Sequence, residues 1–317
     1  MVTRRDFIKT VSAASLSTAY VASGFSRTVD AAGSMQFGYA ALTWGNKVSD
    51  AIDDVAAVGF RGIQLRVGDG TFDKYGSNPS ALRELLAQRK LAFPVLSSGN
   101  LVIDPVVERD ELAKHTRHAK FLHDAGGQYL QVIDERPKGR AVTPDDYRRV
   151  GRLLTELGKR TTDAGATLVY HHHMNSTGEK PHEIAAVLDA ADKRQVRLLF
   201  DVAHYQQGGG DPVKAIRDYR DWIDVVHLKD VRAGRAGQAG RAGQAGGANG
   251  GNGAAYEFVE LGRGRVDLPG CFAALRDIGF DKWAIVELDR VPDPGRTPKE
   301  SAEINKRYLT EQLRQTI

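Results

Sequence analysis

The chain has 317 residues, 41% hydrophobic and 26% charged, a globular composition that excludes wholesale disorder. Lys and Arg number 44 against 40 Asp and Glu, and the net charge of +4 is spread along the sequence, which argues against a nucleic-acid partner. No run of eighteen apolar residues occurs, and the single Cys271 admits neither an intramolecular disulfide nor a cysteine zinc site.

In chain order, residues 1–33 read as an address rather than as fold. Thr3-Arg4-Arg5-Asp6-Phe7-Ile8-Lys9 is followed by a mildly apolar, Ala/Ser-rich stretch and by Val29-Asp30-Ala31, a small-residue cleavage pattern. The segment resembles a twin-arginine export signal. An ordinary amphipathic first helix is the alternative. The signal implies the twin-arginine translocation machinery as a partner and a periplasmic or extracellular destination, with no stable membrane span after cleavage. It carries a net +2 of the chain's charge (Arg4, Arg5, Lys9 and Arg27 against Asp6 and Asp30), so its removal further weakens any polyanion argument. Export of an already folded chain is also compatible with a metal acquired before translocation.

From residue 34 onward, short apolar runs alternate with longer amphipathic ones. Strands are predicted at 37–42, 62–65, 91–96, 129–133, 167–170, 197–200, 224–226 and 283–286. Helices are predicted at 49–58, 81–89, 106–124, 145–162, 182–191, 213–219, 268–278 and 299–313. Eight strand–helix units in this order predict one (β/α)8 TIM barrel over 34–317, a fold that takes about 250 residues. A doubly wound open sheet is disfavoured because Thr43-Trp44-Gly45-Asn46, not GxGxxG, follows the first strand. Residues 233–255 hold nine of the 34 glycines in repeated AGQAGR units. With almost no apolar bulk, this segment reads as an insertion in the loop after strand seven, either a lid or a neutral low-complexity expansion.

The titratable residues fall at the carboxyl ends of the strands, where such barrels carry chemistry. Glu135 follows strand four, His171, His172 and His173 follow strand five, and Asp201 and His204 follow strand six. His227, Lys229 and Asp230 follow strand seven, and Glu287 and Asp289 follow strand eight. Carboxylates and imidazoles without thiolates suit one divalent ion, Mn, Mg, Co, Fe or Zn. Parity aims His171 and His173 inward and His172 away, and pairs His227 with Lys229 and Glu287 with Asp289. Each residue has a plain alternative: Asp201 as a helix N-cap, the histidines as a surface loop, Lys229-Asp230 as a solvated ion pair. Glu287 resists one, because its strand is otherwise apolar and a buried carboxylate needs a cation or dense hydrogen bonding.

These residues resemble the sugar isomerase/epimerase superfamily of xylose-isomerase-like barrels. Asp201 in FDxxH, His227 in VVHLKD and Glu287 in AIVELD match the last three positions of its Glu–Asp–His–Glu metal shell. The strings VYHHHMNSTGE, LLFDVAH, GGGDP, VVHLKDVR, ELGRGRVDLP and VELDR are similar to the inosose dehydratase branch. The sequence departs from the wider family at strand five, where His171 replaces the glutamate, and at Gln64, where the family often has a glutamate after strand two. The missing glutamate puts a two-carboxylate epimerase mechanism in doubt.

The resemblance implies a substrate with adjacent carbonyl and hydroxyl groups: a keto-sugar, keto-glycoside or keto-cyclitol, enolised with metal help. It assigns the metal to Asp201, His227 and Glu287, with Glu135 and His171 as further candidate ligands. His173 and His204 are the acid/base candidates, and Lys229 would bind an oxyanion or protonate a leaving hydroxyl. Isomerisation, epimerisation and β-elimination all follow from one enediolate. The competing classes are an apurinic-endonuclease-type phosphodiesterase, which needs further imidazoles on strands two and three, and a non-catalytic carbohydrate-binding protein with aromatic platforms such as Trp44 and Trp222.

Overall fold

The computed structural model describes residues 35–234 and 256–317. The predicted leader at 1–33, and all of the insertion except Ala233 and Gly234, lie outside the described residues. Ten strands follow in order: β1 Gln36–Ala40, β2 Gly62–Arg66, β3 Ala92–Leu101, β4 Tyr129–Asp134, β5 Thr167–His171, β6 Val196–Asp201, β7 Ile223–Leu228, β8 Asp230–Ala233, β9 Tyr256–Val259 and β10 Trp283–Val286. Eight of them close into a parallel barrel in the order β1-β10-β7-β6-β5-β4-β3-β2, which is the expected (β/α)8 TIM barrel. The remaining two, β8 and β9, pair antiparallel as a ribbon that the sequence reading did not foresee.

Inward positions recur every second residue. Ala40, Val95, Tyr129, Val169, Leu199, Val225, Trp283 and Ile285 form one buried apolar layer inside the barrel. Trp283 owes its place to Gly62, because a Cβ there would come within 2.5 Å of the indole ring. The opposite faces of the strands pack against the helices in a larger core that includes Leu96, Leu130, Leu168, Leu198 and Val226.

The helices start where local chemistry says they should. Proline opens those at Pro79–Gln88, Pro144–Asp163, Pro181–Asp189, Pro212–Asp218 and Pro298–Arg307, where a missing N–H costs nothing. Thr297 and Glu300 close a capping box on the last of these. That helix gives way to a π-turn at Tyr308–Gln312, so the predicted uninterrupted helix at 299–313 is two pieces.

The register carries the consequence for function. Strands β5, β6 and β7 run further than predicted, and their polar terminal residues sit within the pairing: His171 opposite Leu199, and Asp201 opposite His227. The side chains at these strand ends are therefore fixed by the barrel wall rather than carried on loops.

Candidate functional site

Two residues beyond the apolar layer, the barrel interior turns polar. Gln64 of β2, Gln131 of β4, His171, Asp201, His227 and, just past β10, Glu287 are all buried. Asp201 reconciles the two roles open to it. Its Oδ1 accepts the amides of Ala203 (2.9 Å) and His204 (2.8 Å), capping the short helix Val202–Gln207. Its Oδ2 is buried with no hydrogen-bond partner.

Three imidazoles face that oxygen: His227 Nδ1 at 3.5 Å, His171 Nε2 at 3.6 Å and His204 Nε2 at 3.8 Å. His227 Nδ1 lies equally 3.5 Å from Glu287 Oε1. His171 Nε2 and His227 Nδ1 are likewise buried and unpartnered. Separations near 3.5 Å are long for hydrogen bonds and right for ligand atoms sharing one ion at bonds of about 2.0–2.2 Å. Asp201, His227 and Glu287 thus fit a divalent ion, and His171, Asp201 and His204 form an overlapping second group. Two carboxylates and an imidazole suit the divalent metals expected from the sequence.

Electrostatics keep the carboxylates ionised. Burial alone would raise Asp201, but His204, His171, His227 and Lys229 outweigh it and hold it well below the usual range. Burial also works against Glu287, yet His227 and Lys229 bring it down to about 2. His171, by burial first, is lowered to about 4.

Beneath these ligands the two glutamines join the histidines. Gln64 Nε2 donates to Gln131 Oε1 (3.0 Å) and to Glu287 Oε2 (3.3 Å). Gln131 Nε2 meets His171 Nδ1 at 2.9 Å, and His227 Nε2 meets Gln64 Oε1 at 2.9 Å. Sequence reasoning singled out Gln64 only as a departure and missed Gln131, since a lone amide in an apolar strand carries no signal of its own.

The acid/base candidates line one wall. His173 Nδ1 lies 2.7 Å from the Met174 carbonyl, which can only accept, so the proton is on Nδ1 and the Nε2 lone pair is left as a base. Burial and then the Lys229 charge lower its pKa. The His204 ring packs on it with centroids 3.8 Å apart. His204 Nδ1 accepts the Met174 amide at 3.4 Å, which puts the proton of the neutral ring on Nε2, 3.8 Å from Asp201 Oδ2, and burial drives its pKa well down.

Lys229 is fully buried. Its ammonium meets Glu287 Oε1 at 3.0 Å, Asp289 Oδ1 and His204 Nε2, and sits 4.2 Å from the centroid of the Phe258 ring. Burial opposes its charge, but Asp289 and Glu287 prevail and its pKa is raised. Bound to Glu287 and Asp289, the Lys229 ammonium holds the Glu287 carboxylate in place. The ribbon thus delivers Phe258, backed by Tyr256 at 5.4 Å, to the wall of the site.

Several predicted residues lie elsewhere. Glu135 does not join the cluster: the chain leaves the wall at Asp134, parity no longer aims Glu135 inward, and its Oε1 pairs with Lys138 at 2.6 Å. It lines a separate cavity of about 910 Å³ with Arg140, Arg149 and Arg152. His172 points away as expected, and its Nε2 accepts the Asp201 amide at 3.2 Å. Asp230 is no solvated ion pair; it is buried and accepts the amides of Val231, Gly262, Gly264 and Val266. Trp44 is a core residue whose Nε1 donates to Asp54 at 2.9 Å. Trp222 precedes β7, at the opposite end of the barrel from the ligands. Among the described residues, the metal-competent groups all share Asp201, and none lies on β2 or β3 as a phosphodiesterase would require.

Residues 52–311 match the xylose isomerase-like TIM barrel family. An inosose dehydratase of Lacticaseibacillus casei is 29% identical over 276 residues, covering 82% of this chain and 87% of its own. An inosose dehydratase of Clostridium botulinum (strain Alaska E43 / Type E3) is 26% identical over 279 residues, covering 84% of this chain and 90% of its own. Among solved structures, the IolI protein with a bound zinc atom shares the fold, with a TM-score of 0.70 and 18% identity over 87% of this chain and 97% of that one. Since the match runs from within the first helix to the last turn of a closed parallel barrel, the chain belongs to the xylose isomerase-like TIM barrel family.

Proposed function

We propose that this barrel is a divalent-metal-dependent enzyme of the sugar isomerase, epimerase or dehydratase type. Its substrate carries adjacent carbonyl and hydroxyl groups, as a keto-sugar, keto-glycoside or keto-cyclitol does. One observation carries the reading: the unpartnered Asp201 Oδ2 and His227 Nδ1 converge with Glu287 beside a histidine whose lone pair is free. The inosose dehydratase relatives support a keto-cyclitol and β-elimination within that range.

Asp201, His227 and Glu287 would hold the ion, which when bound would supply the charge that draws electrons toward a carbonyl and acidifies the neighbouring C–H. His173 Nε2 takes the carbon-bound proton while its Nδ1–H stays on the Met174 carbonyl, which fixes the ring as the proton moves. The resulting imidazolium is the acid for either outcome. In isomerisation it returns the proton to the neighbouring carbon while the enediol hydroxyl proton passes to the other substrate oxygen, and in dehydration it gives the proton to the departing β-hydroxyl, which leaves as water. Lys229 keeps Glu287 in position and adds positive potential where negative charge develops. Phe258 covers the Lys229 ammonium, which sits 4.2 Å from the ring centroid.

Proton exchange in D₂O, followed by NMR on keto-sugars, keto-glycosides and keto-inositols with and without chelator, tests this reading. The expected result is metal-dependent loss of a C–H signal beside a carbonyl. Bound metal with no exchange on any substrate class overturns enolisation, and no bound metal leaves only a carbohydrate-binding protein.

Residues 1–33 belong to the same proposal as a twin-arginine signal that delivers the barrel to the periplasm or beyond. Mass spectrometry of the exported form should find a new N-terminus near Ala31, and an Arg4→Lys/Arg5→Lys variant should stay in the cytoplasm.

A further inference from the structure

The hydrogen bonds beneath the centre are not independent. His171, Gln131, Gln64 and His227 form one chain, with contacts of 2.9, 3.0 and 2.9 Å, and Gln64 also reaches Glu287 at 3.3 Å. Each amide has one accepting and one donating end. Turning either glutamine alone would set nitrogen against nitrogen or oxygen against oxygen at the Gln64–Gln131 contact. The two amides therefore turn only together, and the chain has two arrangements.

In the arrangement seen here, Gln131 donates to His171 Nδ1, so the proton of a neutral His171 is on Nε2. Gln64 Oε1 accepts from His227 Nε2, so the proton of a neutral His227 is also on Nε2. The two rings face the centre with opposite nitrogens, His171 with Nε2 and His227 with Nδ1. One shared tautomer thus gives them opposite roles. The reverse arrangement would set Gln64 Oε1 against Glu287 Oε2, oxygen against oxygen, so the Glu287 contact selects the arrangement observed.

We infer that Gln64 and Gln131 are positioning residues that fix the Nε2–H tautomer of both histidines, so that His227 alone gives the metal a lone pair and His171 presents an N–H to the centre. The inference rests on the metal-centre reading above for what the two nitrogens face, but not for which proton each carries. Where the wider family has a carboxylate ligand at strand five, this chain then has a neutral donor. The ion is held by Asp201, His227 and Glu287, and its remaining positions are left to substrate.

The tautomers are measurable without turnover. Long-range ¹H–¹⁵N NMR of the mature chain labelled with ¹⁵N-histidine, metal-free and above pH 7, should show His171 and His227 both protonated on Nε2. X-ray absorption of the Zn²⁺-loaded chain should count one imidazole ligand. Gln131→Glu places a pure acceptor against His171 Nδ1 and should move that proton to Nδ1, leave His227 unchanged, raise the imidazole count to two and tighten Zn²⁺ binding roughly tenfold. His171→Ala should leave Zn²⁺ affinity within about threefold of wild type, far less than the loss of a ligand. An Nδ1–H on His171, or two imidazoles on zinc in the unmodified chain, overturns the inference even if no variant folds. Failure to bind any divalent ion overturns the metal centre instead, and the metal-free spectrum still decides the tautomers.

Discussion

Two histidine clusters lie near the carboxyl ends of the strands, and they are wired in opposite ways. On the outer face of β3, Ser98 sits between His115 and His118 of the helix Glu108–Asp124, with Oγ 2.5 Å from His115 Nδ1 and 2.7 Å from His118 Nδ1. His115 Nε2 lies 3.2 Å from the Asn100 carbonyl, which fixes the direction of the whole chain: His118 donates to Ser98, Ser98 to His115, and His115 to the backbone. Glu111 lies 3.6 Å from His115, so serine, histidine and glutamate stand in the order of a nucleophilic triad. Even so the cluster is a packing device: its donors are spent internally and Phe72 caps the His118 ring. Inside the barrel, by contrast, Asp201 and His227 each keep a buried atom that nothing in the protein satisfies. Open valences that converge on one point, rather than residue type, separate this site from a core polar cluster.

The largest effect that sharpens this contrast is expected at Asp201. Asp201→Asn keeps the helix cap but loses the charge, and Zn²⁺ affinity measured by calorimetry should fall by more than the roughly 10–100-fold typical of an outer-shell partner. His173→Ala should retain metal and lower the C–H exchange rate by about 10²–10⁴-fold, as loss of a general base does. If exchange survives, the base is another residue.

The outer cluster should answer to pH instead. Burial, and then the neighbouring His115, lowers His118 to about 4, whereas the unfolded chain protonates near 6.5. The unfolded state therefore binds more protons between those values, and stability should be undiminished above about pH 6.5 and fall as pH drops toward 4. The size is on the order of 2–3 kcal/mol, and urea midpoints for the wild type and His118→Gln should converge as the pH is lowered through that window. The smallest effect is expected for Ser98→Ala, which strands two imidazole nitrogens. It should cost about 1–3 kcal/mol by urea unfolding and leave metal affinity unchanged, whereas a loss of metal would mean that the two clusters communicate.

What was legible in the sequence followed from periodicity. Alternation in VYHHHM put His171 and His173 on one face and His172 on the other, and the barrel keeps that parity to the strand ends. Glu135, placed only by its position after strand four, lies one residue beyond the wall, where no pairing enforces direction. Gln131 was invisible because its meaning comes from neighbours on β2 and β5, 67 and 40 residues away. The ribbon was hidden for a related reason: Asp230–Ala233 and Tyr256–Val259 are each four residues long, and a glycine-rich stretch separates them where a hairpin would show a short turn signal.

That ribbon has a practical consequence. Its last rung pairs Ala233 with Tyr256, while the end nearest the centre is tied down by Asp230 and by the Phe258 contact with Lys229. Whatever the chain does between Ala233 and Tyr256, it enters and leaves by the same rung. Because the entropy of closing such an excursion grows only logarithmically, by about 0.6 kcal/mol per doubling of length, a longer excursion costs the ribbon little. The ribbon tip is therefore a port: a place where a reporter domain, an affinity handle or a second binding module can be spliced beside the mouth of the barrel at little entropic cost to the rung that closes it.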